Sequence, residues 1–468
     1  MYACPSCGGG LRFDIPSQKL KCDHCETLTD PYSLEERKDA GMDNTFGVTV
    51  FTCPQCGGEV MTTDESITGF CMFCGASTVL DARMENHKRP QKIITFKKTK
   101  EDCKNIYRRL VGGAIFAPKE LKDPDYLEKF RGIYIPYWMY TITYDGPYSI
   151  SGTTTEASVG YINTNHYKIH CDMDVEYTGI SYDASASFDD HVSEAISPFM
   201  SAHAQDFTPP MLSGFYADTA DVDSSVYRED ALKAAQNNLI AGIRSNNTLN
   251  KYTMTDLDSS FNSMGKVECE NAEAGLGLFP VWFLTYRSSK NRVAYAVVNA
   301  ESGEISADLP VSIPKYIISS MAVAAAIFAL LFFLFTPTPG IALFAAAAFA
   351  VISLIVYGAE IHAIKRRHGK YDDKGFYAKY GALENQDDIR RYCTASGAVG
   401  SILAIIAAIA IAIWQPVDDW IYYAGAIGAI IGVCITMSAI IRRVNILNTR
   451  PLPEFHFRKG GDDSAKDL

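Results

Sequence analysis

Eight of the thirteen cysteines form four CxxC pairs, and the pairs form two quartets. Cys4-x2-Cys7-x14-Cys22-x2-Cys25 is followed by Cys53-x2-Cys56-x14-Cys71-x2-Cys74, the same spacing displaced by 49 residues. A CxxC pair sets two thiolates on one tight turn. Two such turns joined by a short hairpin complete a tetrahedral site for Zn2+, with Zn–S bonds of about 2.3 Å. Pro5 and Pro54 sit inside the first turn of each quartet, with Gly8-Gly9 and Gly57-Gly58 after it, where a left-handed backbone aims amide N–H groups at sulfur. A redox CxxC or a disulfide pair is the competing chemistry, but two identical quartets in reducing solvent favour metal. Every ligand position is a cysteine, so no coordination site is left for a catalytic water. Two structural zinc ions are expected, with His24, inside a knuckle, as a bystander.

The elements that position these thiols are small. Leu11 to Ile15 and Glu59 to Phe70 read as short strands, so each unit is a β-hairpin of about 25 residues whose core is too small to fold without its ion. This reading gives a zinc ribbon over 1–30, a linker over 31–50 and a second ribbon over 51–82. An α+β domain follows over 83–312. Its first helix is expected over Thr99 to Val111, with Thr99 as N-cap and Cys103, Ile106, Tyr107 and Leu110 on one face.

The domain carries an echo. Gly132 to Tyr144 (GIYIPYWMYTITY) is answered by Leu278 to Tyr286 (LFPVWFLTY), pairing Pro136 with Pro280 and Trp138 with Trp282 at a separation of 144 residues. A helical stretch precedes each, the second being Val226 to Ile243, so a duplicated helix-then-strand unit is expected. Arg292 to Asn299 completes a hairpin with period-two alternation. Tyr148 to Thr154, Ala157 to Tyr161 and Val175 to Ile180 read as a polar meander, and Pro209 to Phe215 as a loop packed by its own apolar residues.

Other chemistry is scarce. His166 and His170, near Asp172 and Asp174, fall on one exposed strand face. Gly275 to Pro280 begins like a dinucleotide fingerprint but has Pro where the third Gly belongs. No Walker A loop, G-x-S-x-G elbow or HExxH occurs. The chain therefore reads as a non-enzyme. The net charge of -11 argues against a polyanion binder. So does the second ribbon, which holds Glu59, Asp64 and Glu65 without a Lys or Arg between Cys53 and Leu80. Lys88 to Arg109 is basic, and reads as a solvated helix face or an attraction to anionic lipid.

The last third alternates apolar blocks with polar loops. Spans are expected at 316–335, 341–359, 393–414 and 420–441, forming a four-helix transmembrane bundle without charged residues. The loop 360–392 holds Lys365, Arg366, Arg367, Lys370, Lys374, Lys379, Arg390 and Arg391, while both five-residue turns hold no basic residue. By the positive-inside rule this loop, the tail 442–468 and the N-terminal domains are cytoplasmic, in a multi-pass protein of the inner membrane. MYACPSCGGG lacks a basic segment followed by an apolar run, which fits a domain left in the cytosol. Phe376, Tyr377, Tyr380, Leu383, Ile389 and Tyr392 can float a short helix at the membrane interface. Ala424, Gly428 and Gly432 form a small-residue row for helix packing or an oligomer contact.

The order of two Cys4 ribbons, GIYIPYW, FPVWFLTYR, VNAESGEISADLPV and C-terminal spans resembles bacterial membrane proteins labelled TFIIB-type zinc-ribbon proteins. The resemblance implies a scaffold at the cytoplasmic membrane that partners SPFH (flotillin-like) and phage-shock-type proteins in envelope stress. A membrane-tethered zinc-ribbon regulator that binds nucleic acid is the alternative.

Overall fold

The computed structural model describes residues 2–35, 45–63, 70–77, 81–185, 187–254, 273–288, 292–334, 338–369 and 395–453. The chain opens with β1 (Leu11–Asp14), β2 (Lys19–Cys22) and β3 (Leu28–Thr29) in one antiparallel sheet, then a short helix α1 (Pro31–Glu35). β4 (Thr45–Thr52) pairs on its two sides with β5 (Glu59–Thr62) and β6 (Asp81–Lys88). Next come β7 (Lys92–Ile93), α2 (Lys100–Gly113), α3 (Pro124–Leu127), β8 (Arg131–Ser158) and β9 (Tyr161–Asp183). After α4 (Asp190–Ala195) and β10 (Gln205–Asp206) the pattern recurs. It runs β11 (Tyr216–Ala217), α5 (Arg228–Ser245), β12 (Thr253–Met254), β13 (Glu273–Ser288) and β14 (Arg292–Asn299), closed by β15 (Ile305–Ala307).

The recurrence has two-fold geometry. β8 and β13 are antiparallel neighbours with Pro136 opposite Leu278 and Pro280 opposite Tyr134, so the prolines stand symmetrically about the Ile135–Phe279 pair. Outward from this centre the sheet continues through β7 and β10 on one side and through β11 and β5 on the other. β7 and β11 are each parallel to their long strand, and β10 and β5 are each antiparallel to the next. Single hydrogen bonds obey the same relation. The Trp282 indole donates to Lys98 O ahead of α2 (2.9 Å), and the Trp138 indole to Val222 O ahead of α5 (2.8 Å). Ile94 N donates to Leu278 O and Asp218 N to Tyr134 O, while the Pro280 and Pro136 carbonyls accept from Ala300 N and Ala184 N. Each tryptophan thus ties the start of a helix to the strand that covers it.

The copies differ in their hairpins. β13 and β14 turn back after Ser288, whereas β8 and β9 stay paired out to Ser158 and Tyr161 around Val159-Gly160. The three strands expected as a meander are therefore parts of one long hairpin. Pro147 lies within β8, and among the described residues β8 beyond Thr141 is flanked on one side by β9 and on the other by β12 at Gly152 and Thr153, so a missing N–H is tolerated there.

Helix α2 starts as expected. Thr99 Oγ1 accepts from Asp102 N, and the Asp102 carboxylate accepts from Thr99 N, a capping box. Cys103, Tyr107 and Val111 are buried, but Leu110 turns outward, because steps of four rather than a three-four alternation follow the buried stripe. Burial pushes the Cys103 thiol up to about 12, in keeping with an inert core position. Five of the nine basic residues of the stretch pair with carboxylates of the same domain. Lys92 pairs with Asp206, Lys97 with Glu301, Lys100 and Lys104 with Glu128, and Arg108 with Glu101.

The last third holds α6 (Ile313–Leu334), α7 (Pro339–Gly369), α8 (Val399–Trp414) and α9 (Asp419–Leu447). Three stretches, Pro339–Ile364, Ser396–Trp414 and Asp419–Val444, are helices long and apolar enough to cross a membrane. They pack through small residues, Ala346 and Ala350 of α7, Ala404 of α8, and Ala426 and Ala429 of α9. The small-residue row expected at Ala424, Gly428 and Gly432 is corrected. Ala424 and Gly428 are exposed while Gly432 is packed, and the packed row is Gly425, Ala429, Gly432 and Thr436.

The expected charge-free spans also run on as helix, which carries Glu360 and Arg443 into the bundle. Arg443 is buried, donates to Tyr357 Oη (2.6 Å) and stacks 4.0 Å from the centre of its ring. One turn deeper, Ser353, Ser401 and Thr436 join all three helices through hydroxyl contacts of 2.7 and 2.8 Å. Residues 335–337 and 370–394, with most of the basic loop, the proposed interfacial aromatics and Cys393, lie outside the described residues.

Beyond α9 the chain returns to the sheet. β16 (Arg450–Pro451) pairs with Arg292 and Val293 of β14, and Arg292 in turn donates to Thr449. Arg450 bridges Asp189 (2.5 Å) and Asp308 (2.6 Å), all three side chains being 11 to 16% exposed. Arg450→Ala removes the cation from two nearly buried carboxylates and is expected to cost the sheet domain about 3 kcal/mol. The urea midpoint followed by tryptophan fluorescence measures it, and an unchanged midpoint contradicts the assignment.

Candidate metal centres

All eight expected cysteines meet as two groups of four, with the four sulfurs of each group within 4.8 Å of one another. All are free thiols. The four knuckles share one backbone design. In each, the first cysteine's carbonyl accepts from the amide four residues on (Gly8, Glu26, Gly57, Gly75), and its own amide donates to the carbonyl five residues on (Gly9, Thr27, Gly58, Ala76). The residue after the second cysteine has positive φ: 76° at Gly8, 58° at Glu26, 73° at Gly57 and 68° at Gly75. That turn aims the amides of Gly9 and Gly58 at the Cys7 and Cys56 sulfurs, each at 3.4 Å, and inside its knuckle the His24 amide donates to Cys22 Sγ at 3.4 Å.

The geometry fits a tetrahedral ion. Bonds of about 2.3 Å place sulfurs about 3.8 Å apart. Cross-knuckle separations are 3.8 Å (Cys53–Cys74) and 3.7 Å (Cys56–Cys71) in the second group, and 3.6 Å (Cys4–Cys25) and 3.4 Å (Cys7–Cys22) in the first. Each group can hold a metal ion, and four thiolates at this spacing are compatible with zinc.

The two centres sit in different surroundings, which their identical spacing gave no sign of. Cys53, Cys56, Cys71 and Cys74 are all buried, in one core cluster with Phe73, Ile135, Tyr137, Phe279 and Phe283. The second knuckle is held on the β13–β14 hairpin. Tyr295 Oη donates to Phe73 O (2.8 Å), Thr285 Oγ1 to Met72 O, and the Arg287 guanidinium to Gln55 (3.0 Å). This unit is therefore walled in by the sheet rather than presented on a surface. Glu59, counted among the charges of that unit, is buried and paired with Arg83.

The first centre is half open, with Cys4 and Cys22 buried and Cys7 and Cys25 exposed. Its hairpin is nonetheless seated on the domain. Phe13 N donates to Ser213 O, Gln18 to Phe96 O, and Tyr32 Oη to Asp206 O. Leu11, Phe13 and Leu20 join the cluster that contains Phe96, Tyr134 and Phe215.

His24 belongs to neither group, and His166 and His170 remain on the exposed face of β9, where His170 contacts Ser149 (2.8 Å). Among the described residues no other cluster of metal-ligating side chains occurs. The sequence reading missed the Tyr357–Arg443 contact and the hydroxyl triad. The signal was present in Ser353, Ser401 and Thr436, single polar residues inside apolar runs.

No family model matches the sequence, and no solved structure matches it. The chain is similar to the uncharacterized protein YdjG of Bacillus subtilis (strain 168). The two are 23% identical over 317 residues, 66% of this chain and 90% of the relative. A likeness of that degree to an uncharacterized protein assigns no activity.

Proposed function

We propose that the protein is a multi-pass membrane scaffold whose two zinc-bearing ribbons and sheet domain lie on the cytoplasmic face and recruit a protein partner. The observation that carries this reading is the return of the chain after its last apolar helix. α6 leaves the sheet domain at Ile313, where Ser312 N donates to Phe116 O and Lys315 to Ala117 O, and β16 rejoins that domain after α9. A block that leaves and re-enters one side of a membrane crosses it an even number of times. Among the described residues three helices are long and apolar enough to cross, so parity favours α6 as the fourth crossing. Its 22 residues extend about 33 Å, enough for a hydrocarbon core of about 30 Å. The basic residues of 360–392 support a cytoplasmic domain with both termini on the same side.

The recruiting surface is assigned to the first ribbon and the sheet domain, because the second centre is closed in by packing. The family resemblance suggests an SPFH or flotillin-like membrane protein as partner. The nucleic-acid alternative has little to work with, since most of the basic stretch is already paired with carboxylates. Cysteines introduced one position at a time, with the eight native ligands kept and the labelled peptide read by mass spectrometry, test the topology in spheroplasts. Positions 338 and 416 are expected to label from outside and position 453 only after permeabilisation, and external labelling at 453 overturns the orientation. Crosslinking of the intact protein followed by pulldown tests recruitment, with an SPFH-type protein as the expected product.

A further inference from the structure

The two centres share ligands and spacing yet differ in access, and that contrast has a chemical consequence. At the first, the Cys7 and Cys25 sulfurs face solvent, and each lies against a buried ligand of the opposite knuckle. Cys7 is 3.4 Å from Cys22, and Cys25 is 3.6 Å from Cys4. At the second, all four thiols are at most 4% exposed behind Phe73, Phe283 and Tyr295. We propose that the first centre is a thiol-oxidation site, at which a peroxide or hypohalous acid converts two ligands into a cross-knuckle disulfide and discharges the metal, while the second centre keeps its ion. The proposal rests on the zinc reading above.

The step balances with the oxidant and two protons from solvent. With hydrogen peroxide, the exposed thiolate of Cys7 or Cys25 attacks one peroxide oxygen and the O–O bond breaks, forming a sulfenic acid and releasing hydroxide, which takes a proton to become water. The neighbouring thiolate, Cys22 or Cys4, then attacks the sulfur of the sulfenic acid. The S–S bond forms at about 2.05 Å as the S–O bond breaks, and the second hydroxide takes a proton and leaves as water. Two thiolates have lost two electrons to one peroxide. A zinc ion held there would keep its oxidation state and, with two of its four ligands gone, would pass to solvent.

Both cross-knuckle pairs join the turn before β1 to the turn after β2, so the disulfide leaves that hairpin closed. What is lost is the tetrahedral constraint that orients the knuckles, and with it the fit of Leu11, Phe13 and Leu20 against Phe96 and Phe215. The exposed thiolates need no opening of the fold to react. Those of the second centre are reached only when the sheet itself opens, a rare event in a stable domain.

The test uses the full chain in detergent, treated with excess hydrogen peroxide. Zinc release is followed with a chromogenic chelator, and the thiols are mapped by differential alkylation and mass spectrometry. One zinc per chain is expected in a fast phase, with the second retained at least about a hundredfold longer. Disulfide is expected among Cys4, Cys7, Cys22 and Cys25 while Cys53, Cys56, Cys71 and Cys74 stay reduced, and reductant with zinc restores the starting state. Release of both ions at one rate, retention of both, or oxidation of the second quartet first overturns the proposal. The alkylation map reads which quartet oxidises whatever ion was held. A protein purified with another metal thus counts against the zinc reading, and the map still decides the oxidation site.

Discussion

Cys56→Ser is expected to abolish the folded sheet domain, whereas Cys7→Ser is expected to leave it standing. Structural zinc in four-cysteine units contributes on the order of 10–16 kcal/mol to the folded state, and whole domains are stable by only about 5–15 kcal/mol. Losing even half of the ion's contribution at the second centre therefore consumes the margin. Cys56 is fully buried, and its knuckle holds the turn that feeds β5, a strand of the large sheet. Its neighbours Phe73 and Phe283 would be left around a collapsed metal site. At the first centre a metal would organise a three-stranded sheet of its own, outside the large one, so its loss is expected to loosen residues 2–35 and spare the pairing of β8 with β13. Metal content, near-ultraviolet circular dichroism and limited proteolysis measure the contrast. Two metals per chain are expected in the wild type and one, with an intact tryptic core, in Cys7→Ser. A Cys56→Ser protein with the wild-type melting curve would sink the assignment of the second ion as the larger structural element.

That contrast marks the limit of what the sequence carries. The ligand sets were legible because CxxC spacing is local, and four knuckles with a common turn leave a common signature. Thr99 as an N-cap and the Pro136–Pro280 echo were legible for the same reason, each being a short pattern with a fixed physical cause. The burial of Cys53 to Cys74 was not, since it depends on β13 and β14 arriving from more than 200 residues away. The long hairpin was hidden because its Tyr-, Thr- and Ser-rich runs read as three short strands, whereas β8 and β9 stay paired from Tyr137 and Asp183 out to Ser158 and Tyr161. The tail strand at Arg450 was hidden in a different way. Two residues form it, and the ion-pair partners of Arg450, Asp189 and Asp308, lie in segments with no pattern of their own.

The helix bundle gives the second large effect, and it separates the observed packing from the row expected at Ala424, Gly428 and Gly432. A Cβ placed at Gly432 would lie 2.3 Å from Gly400 O and 2.9 Å from Gly400 C, and one placed at Gly400 would lie 2.5 Å from Gly432 O. The obstructing atoms are backbone, which cannot rotate away, so α8 and α9 must separate. Separation also stretches the Ser401–Thr436 hydrogen bond (2.8 Å) and the Ser353–Ser401 contact (2.7 Å), each worth about 0.6 kcal/mol in a membrane. Overpacking adds about 1–3 kcal/mol, so Gly432→Leu is expected to destabilise the bundle by roughly 3 kcal/mol. Gly428→Leu is the control, because nothing lies within 4 Å of its Cβ position and the helix gains a better former than glycine. It is expected to change stability by less than about 1 kcal/mol, in the stabilising direction. Thermal denaturation in detergent, followed by size-exclusion chromatography, ranks the two variants. If Gly428→Leu proves the more damaging, the small-residue row is an oligomer contact after all and the α8–α9 crossing described above is not what holds the bundle together.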